Sequence, residues 1–138
     1  MTERVEKALE LHLRKYNCAQ AVACAFAESV GADEQMVFKM LEGFGGGMGN
    51  MQGTCGALTG AVAVAGLMNS DGNLDDPKTK GSTYRLTARM VSLFQERVGH
   101  LTCGVIKGQI GDGPVLMPCR QCVRIGAEIA EEVLFPAE

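Results

Sequence analysis

The sequence predicts an all-α protein, a single-domain bundle of about five to seven helices around a buried helix of small residues. In most segments apolar residues recur every three or four positions, which is the spacing of one helix face. No segment alternates convincingly between apolar and polar residues, so strands are not expected. A chain of 138 residues is long enough for one hydrophobic core and too short for two, so we expect one all-helical domain over residues 1–138.

Two helices are predicted before residue 31. The first should end near Tyr16, and its apolar face is formed by Val5, Ala8, Leu9, His12 and Leu13. Asn17 is a residue type that caps helix starts, so the second helix should begin at Cys18. It should end at Gly31, because glycine readily adopts the left-handed conformation that follows a helix.

A third helix should open at Asp33 and end before the glycine-rich segment 43–53, which cannot sustain a regular helix. A tight turn in this segment would bring Cys55 against a neighbouring helix or a cofactor, although close packing explains the glycines equally well. The helix from Cys55 to Met68 is small and apolar on every side, as expected of a helix surrounded by others. It is too short to span a membrane.

Three further helices are predicted in the second half of the chain. Ser82 should cap a long helix that ends at Gly99, and a short helix should begin at Thr102. The loop 108–118 contains glycine and proline and precedes the last helix, which should end before Pro136.

Six cysteines are the most informative feature of the composition. The N-terminus lacks the apolar stretch of an export signal, so we expect a cytoplasmic location. Structural disulfides are rare there, and thiols kept in such number usually bind metal or exchange electrons.

Most of these cysteines lie at predicted helix starts, where free N–H groups and the helix dipole stabilise a thiolate. We therefore expect each of these positions to favour the reactive form. If the starts converge, four thiolates would bind an iron–sulfur cluster for electron transfer or redox sensing. There are two alternatives: a zinc ion that only holds the helices together, or buried inert thiols without a cofactor. The residues expected to bind this cofactor or metal are Cys18, Cys55, Cys103 and Cys122.

Cys119-Arg-Gln-Cys122 is a C-x-x-C pair, in which one thiolate attacks a disulfide and the second thiol resolves the product. It predicts an alternative function, thiol–disulfide exchange, with Cys119 and Cys122 as catalytic residues. The strand that precedes such a pair in thioredoxin is absent, so metal ligation and helix-start packing stay open. The protein is accordingly either an oxidoreductase, an electron-transfer component or a non-catalytic bundle.

The segment Cys55-Gly-Ala-Leu-Thr-Gly60 resembles the CGAxxG signature of the C_GCAxxG_C_C family of putative redox-active proteins. Residues 16–20, 43–49, 102–103 and 122–124 also fall in that family's order. The resemblance implies a small helical redox domain with no established substrate. It maps the family's four cysteines onto Cys18, Cys55, Cys103 and Cys122. Cys24 and Cys119 are then additions of this chain, although Cys119 could replace Cys122 as the fourth site residue.

The charge distribution bears on partners. A net charge of −3 without tryptophan argues against nucleic acid as a partner. Positive charges predominate between Lys78 and Arg124. This stretch would suit an acidic redox partner protein, or it is only a solvated helix face that carries Arg85, Arg89 and Arg97. No membrane span is expected, and a homodimer is possible.

Three other residues carry weaker expectations. Cys24 lies six positions after Cys18, a spacing that points the two side chains apart, so we expect it to be structural. His100 follows Gly99 and should be exposed at a helix end. His12, on the apolar face of the first helix, should be a packed core or interface residue.

Overall fold

Seven α-helices form in the computed structural model, which describes residues 1–136. Residues 137 and 138, which the expected domain includes, lie outside the described residues. The described part contains one isolated β-bridge, between Thr54 and Thr102, and no strand. The predicted all-α class and number of helices are confirmed. The helices are α1 (Glu3–Leu13), α2 (Cys18–Ala27), α3 (Glu34–Leu41), α4 (Gly56–Asn69), α5 (Lys80–Val98), α6 (Cys103–Ile106) and α7 (Cys119–Leu134).

The start of α2 is fixed by a capping box. The side chain of Asn17 accepts a hydrogen bond from the Gln20 amide at 2.8 Å, and the Gln20 side chain accepts one from the Asn17 amide at 3.0 Å. Two amides that the helix leaves without partners are thereby satisfied. The predicted cap is confirmed, and it places Cys18 at the first position of α2.

Two predicted boundaries are wrong. Helix α1 ends at Leu13 rather than near Tyr16, because Lys15 adopts a left-handed conformation with φ of 72°. Leu13, which was predicted to lie on the apolar face, is 71 % exposed, and Leu11 is buried instead. Helix α5 begins at Lys80, and the Ser82 hydroxyl donates a hydrogen bond back to the Thr79 carbonyl within the first turn instead of capping it.

Helix α4 is the buried centre of the molecule and contacts α2, α5 and α7. Its small residues let the neighbouring backbones come close. A Cβ on Gly60 would lie 2.6 Å from the Ala19 carbonyl oxygen, and a Cβ on Gly126 of α7 would lie 2.5 Å from the Ala57 carbonyl oxygen. The predicted buried helix is confirmed, and this tight packing sets α2, α4 and α7 side by side.

Within residues 1–136, none of the helices combines the length and apolar character that crossing a membrane requires.

Candidate functional site: a cluster of five cysteines

Five cysteines approach one another around the side chain of Lys107. Four of them are close enough to act electrostatically on its ammonium group, and the fifth, Cys103, is affected by Lys107 and by two of the other thiols. We call this group the thiol cluster; its members are Cys18, Cys55, Cys103, Cys119 and Cys122.

Helix starts bring the thiol cluster together. Cys18, Cys103 and Cys119 are the first residues of α2, α6 and α7. Cys55 immediately precedes α4, and Cys122 lies three residues after Cys119 in α7. Four helices therefore begin at this site, although segments far apart in the sequence supply them.

A short backbone pairing holds two of these starts in place. At the Thr54–Thr102 bridge, the Cys55 amide donates to the Leu101 carbonyl at 2.8 Å, and the Cys103 amide donates to the Gly53 carbonyl at 2.9 Å. The approach of Cys55 to Cys103 is thus set by the backbone. These two amides bind carbonyl oxygens rather than sulfur.

The glycine-rich segment closes over Cys103. The turn Gly47–Met51 follows Gly46, and both Gly46 and Gly47 have φ near the left-handed region, at 59° and 58°. A Cβ on Gly47 would lie 2.5 Å from the Cys103 Cβ. The expected tight turn is present, and it packs directly against Cys103.

Cys18 and Cys119 form the first of two thiol pairs. Their Sγ atoms lie 2.7 Å apart. His12 of α1 joins them, and the ligand atoms of these three residues all lie within 4.8 Å of one another. Cys119 is half-exposed, whereas the other five cysteines are buried. This pair is therefore the part of the thiol cluster that is open to solvent.

Cys55 and Cys122 form the second pair, in which the two thiols are close enough to shift each other's pKa, upward for Cys55 and downward for Cys122. Cys55 is 1 % exposed and Cys122 is 0 % exposed. The Lys107 ammonium donates to the Cys122 Sγ at 3.5 Å. The second pair thus lies inside the protein with a positive charge beside it.

In each pair the pKa of one thiol is raised and that of the other is lowered. The hydrogen bond from Cys18 lowers the pKa of Cys119 to about 5, with help from Lys107 and His12 and against the effect of burial. The hydrogen bond from Cys55 lowers the pKa of Cys122 in the same way, with help from Lys107. Two neighbouring thiols that share one proton behave in this manner, because a single thiolate is stabilised by its partner's S–H group.

The other three members of the cluster favour the neutral thiol. Hydrogen bonding to Cys119 and burial raise the pKa of Cys18, and hydrogen bonding to Cys122 and burial raise that of Cys55. Burial raises the pKa of Cys103. The expectation that every helix start favours the thiolate is therefore wrong for these three residues, because the paired cysteine and burial favour the neutral form of Cys18 and Cys55, and burial favours that of Cys103.

Lys107 keeps its charge inside the cluster. Burial alone would lower the pKa of its ammonium group, but the four nearby thiol groups raise it by more. The site therefore keeps a cation beside the two thiols whose pKa values are lowered, Cys119 and Cys122. A positive charge at this position stabilises negative charge on sulfur.

Sequence reasoning missed Lys107 and did not assign His12 to the site. Lys107 follows Cys103 by four positions, a spacing that places two side chains on one helix face, and this was the available signal. His12 was recognised on an apolar face, but only its distant partners Cys18 and Cys119 explain why a histidine lies there.

Cys24 and His100 are not members of the thiol cluster. Cys24 is fully buried, its Sγ lies 3.8 Å from the Glu34 carbonyl oxygen, and burial raises its pKa to about 11. Its expected structural role fits these contacts. His100 is half-buried rather than exposed, because its Nδ1 accepts a hydrogen bond from the Thr102 amide at 3.1 Å.

The four cysteines expected to bind a cofactor are all members of the thiol cluster, and so are both residues of the C-x-x-C pair. Cys119 and Cys122 contribute together, each to a different thiol pair, rather than one in place of the other. Their roles as ligands or as catalytic residues stay predictions.

A comparison with protein families identifies the chain's relatives. The family model described as "Putative redox-active protein (C_GCAxxG_C_C)" matches residues 16–133, a range that contains all six cysteines. No curated protein and no solved structure matches the chain significantly. His12 precedes the matched range, so it is a contribution from outside the family pattern. The chain belongs to the C_GCAxxG_C_C family of putative redox-active proteins.

Proposed function

We propose that the protein catalyses thiol–disulfide exchange, with Cys119 as the attacking thiolate and Cys18 as the resolving thiol. The observation that carries this proposal is the 2.7 Å separation of their Sγ atoms. A disulfide bond is about 2.0 Å long, so the sulfur atoms need to move by less than about 1 Å to form one. Cys119 is also the most accessible member of the thiol cluster.

The reaction consumes a disulfide on a partner molecule. The Cys119 thiolate attacks one partner sulfur, so a Cys119–partner bond forms, the partner's S–S bond breaks, and the released thiolate takes the proton of Cys18. The Cys18 thiolate then attacks the Cys119 Sγ, forms the Cys18–Cys119 disulfide and releases the second partner sulfur as a thiolate. Two protein thiols are oxidised, and one partner disulfide is reduced.

The residues around the pair fit these steps. Lys107 and His12 help to lower the pKa of Cys119, so its reactive form is present at neutral pH. A low leaving-group pKa also makes Cys119 a good leaving group when the reaction runs in reverse. The same site can therefore reduce or oxidise a partner, depending on the potential of that partner.

Oxidised glutathione tests the exchange. The reduced protein is equilibrated with this small disulfide, quenched by alkylation and analysed by peptide mass spectrometry. We expect a Cys18–Cys119 disulfide in the wild type and in the control variant Cys24→Ala. Cys18→Ala should instead accumulate a Cys119–glutathione adduct. An unchanged number of free thiols between reducing and oxidising buffers would exclude this function.

An iron–sulfur cluster is the second candidate, favoured by the meeting of four helix starts that carry thiols. The donor set fits, because four thiolates are the usual ligands of such a cluster and hydrogen-bond donors beside the sulfurs tune its potential. When bound, the cluster would supply one-electron transfer. The residues that would hold it are Cys18, Cys55, Cys103 and Cys122.

Cys103 separates the two candidates, since it belongs to the cluster's ligand set and to neither thiol pair. After anaerobic reconstitution, a cluster protein should contain iron and sulfide, and Cys103→Ala should lose both while Cys24→Ala retains them. A colourless wild-type protein without iron would reject this candidate.

Zinc is a further alternative, because His12, Cys18 and Cys119 bring two sulfurs and one imidazole together. Sulfur and imidazole nitrogen are the ligands that zinc prefers in structural sites. Zinc there would engage both thiols of the proposed exchange pair. One tightly bound zinc per chain, released in the His12→Ala variant with a lower melting temperature, would identify this function.

A further inference from the structure

The two thiol pairs are linked by one helix turn. Cys119 and Cys122 both lie in α7, three positions apart, and this spacing places their side chains on the same face of the helix. Each reaches a partner on a different helix start, Cys18 for Cys119 and Cys55 for Cys122. The four cysteines thus follow one another in the order Cys18, Cys119, Cys122 and Cys55, with the middle two on one face of α7.

The two thiol pairs differ in access to solvent. Cys119 is half-exposed, whereas Cys55 and Cys122 are 1 % and 0 % exposed. A disulfide on another molecule can reach the first pair but not the second. If the second pair takes part in redox chemistry, its electrons have to pass through the first pair.

A positive charge lies beside the second pair. The Lys107 ammonium lies 3.5 Å from the Cys122 Sγ and inside a group of four thiols. A half-buried cation is costly unless a negative group stays close to it. The ammonium beside Cys122 favours the thiolate of Cys122, which is the nucleophile that could attack Cys119.

We propose that the protein is an internal disulfide relay, in which the Cys18–Cys119 disulfide is passed through Cys119 and Cys122 to the buried Cys55–Cys122 pair. This inference rests on the proposed exchange function, because that reaction forms the first disulfide. One chain then stores two disulfides, or four electrons, although only Cys119 meets the partner.

The transfer balances within the protein. The Cys122 thiolate attacks the Cys119 Sγ, so the Cys119–Cys122 bond forms, the Cys18–Cys119 bond breaks, and Cys18 leaves as a thiolate. The Cys55 thiol then gives its proton to Cys18 and attacks the Cys122 Sγ. The Cys55–Cys122 bond forms, the Cys119–Cys122 bond breaks, and Cys119 leaves as a thiolate. The first pair returns to its reduced state and can react with a second partner disulfide.

Time-resolved disulfide mapping tests the relay. The reduced wild type is mixed with excess oxidised glutathione, quenched with acid at intervals and analysed by peptide mass spectrometry. We expect the Cys18–Cys119 disulfide first and the Cys55–Cys122 disulfide later, with two disulfides per chain at the end. In Cys119→Ser, the Cys55–Cys122 disulfide should form at least about tenfold more slowly, because the buried thiols lose their access to an oxidant. Cys24→Ala is the matched control and should behave as the wild type.

The outcomes separate the relay from the function on which it rests. If the Cys18–Cys119 disulfide forms and the Cys55–Cys122 pair stays reduced, the relay is rejected and the exchange function stands. If neither disulfide forms, both are rejected. An equal rate of Cys55–Cys122 oxidation in the wild type and in Cys119→Ser would also overturn the relay. Circular dichroism and the melting temperature show whether the Cys119→Ser variant is folded. The order in which the two disulfides form in the wild type tests the relay without any variant.

Discussion

The Sγ atoms of Cys18 and Cys119 lie 2.7 Å apart although the residues are 101 positions apart in the sequence. The contact joins the first residue of α2 to the first residue of α7. Both helices pack against α4, whose glycine and alanine residues let them approach closely. The thiol pair is thus a product of how the bundle is packed.

The reactivity of Cys119 should depend on pH in a way that reports this contact. Since its pKa is lowered to about 5, the thiolate is present above that pH and is lost as the pH falls through it. Alkylation of Cys119 by iodoacetamide should therefore rise between about pH 4 and pH 6 and then level off. The rate is measured by mass spectrometry of the Cys119 peptide.

The Cys18→Ala variant is the control for that titration. It removes the hydrogen bond that lowers the pKa most. The midpoint of Cys119 alkylation should shift upward, toward the ordinary value of a thiol, while Cys24→Ala should leave it unchanged. An identical midpoint in the wild type and in Cys18→Ala would show that the contact does not control the thiolate.

The close packing of α4 against α2 can be tested with two glycines of the same helix. Gly60→Ala places a Cβ 2.6 Å from the Ala19 carbonyl oxygen, so it should lower the free energy of unfolding by about 1–3 kcal/mol. A Cβ on Gly66 has no atom within 4 Å, so Gly66→Ala should raise the free energy of unfolding by about 0.5–1 kcal/mol. Urea denaturation measures both, and equal effects would contradict the packing argument.

The glycine turn that packs against Cys103 can be tested with a second matched pair of variants. Gly46 and Gly47 have nearly the same positive φ, 59° and 58°, so alanine costs a similar backbone strain at either position. A Cβ on Gly46 has no neighbour within 4 Å, whereas one on Gly47 would lie 2.5 Å from the Cys103 Cβ. Gly47→Ala should therefore expose Cys103 to alkylation and lower the melting temperature more than Gly46→Ala does. Equal alkylation of Cys103 in the two variants would count against this contact.

Two neighbouring glutamates in α7 separate a buried ion pair from an exposed one. Glu131 binds Arg4 at 2.7 Å, and its side chain is only 10 % exposed; Glu132 binds Arg97 at 2.6 Å, and its side chain is 49 % exposed. Arg4 also lies over the Phe135 ring. Glu131→Gln should lower the free energy of unfolding by about 2–3 kcal/mol, whereas Glu132→Gln should change it by less than about 1 kcal/mol. Thermal denaturation of both variants makes the comparison.

The Glu131 pair should also make stability depend on pH. Its hydrogen bond from Arg4 lowers the pKa of Glu131 below the ordinary value of a glutamate. A carboxyl group of this kind stabilises the fold above its unfolded pKa, and the contribution is lost as the pH falls through its folded pKa. Acid should therefore destabilise the wild type more than Glu131→Gln. Parallel pH profiles of the two melting temperatures would contradict this.

The fold was largely predictable because its signals are local. Asn17 and Gln20 lie three residues apart and define the start of α2 by themselves. The small residues of α4 likewise indicate that this helix is buried. Both errors concern helix ends: Lys15 adopts a left-handed conformation that ends α1 early, and the Ser82 hydroxyl forms its hydrogen bond within the first turn of α5 rather than before it.

The meeting of the cysteines was predictable, but their pairing, Lys107 and His12 were not. Residue types that favour helix starts pointed to Cys18, Cys55, Cys103 and the Cys119/Cys122 pair. Which thiol contacts which depends on the packing of α2, α4 and α7, and the spacing of residues along one helix cannot reveal it. The protonation of each sulfur follows from that pairing and from Lys107, so the expectation of uniformly reactive thiols was wrong for Cys18, Cys55 and Cys103.

The Thr54–Thr102 bridge bears on the proposed redox cycle. Hydrogen bonds between main-chain atoms, and not bonds between sulfurs, set the approach of Cys55 to Cys103. If the protein cycles as proposed, we expect this approach to be the same in the oxidised and the reduced forms. A partner would then distinguish the two forms by whether the sulfur of Cys119 is free to react.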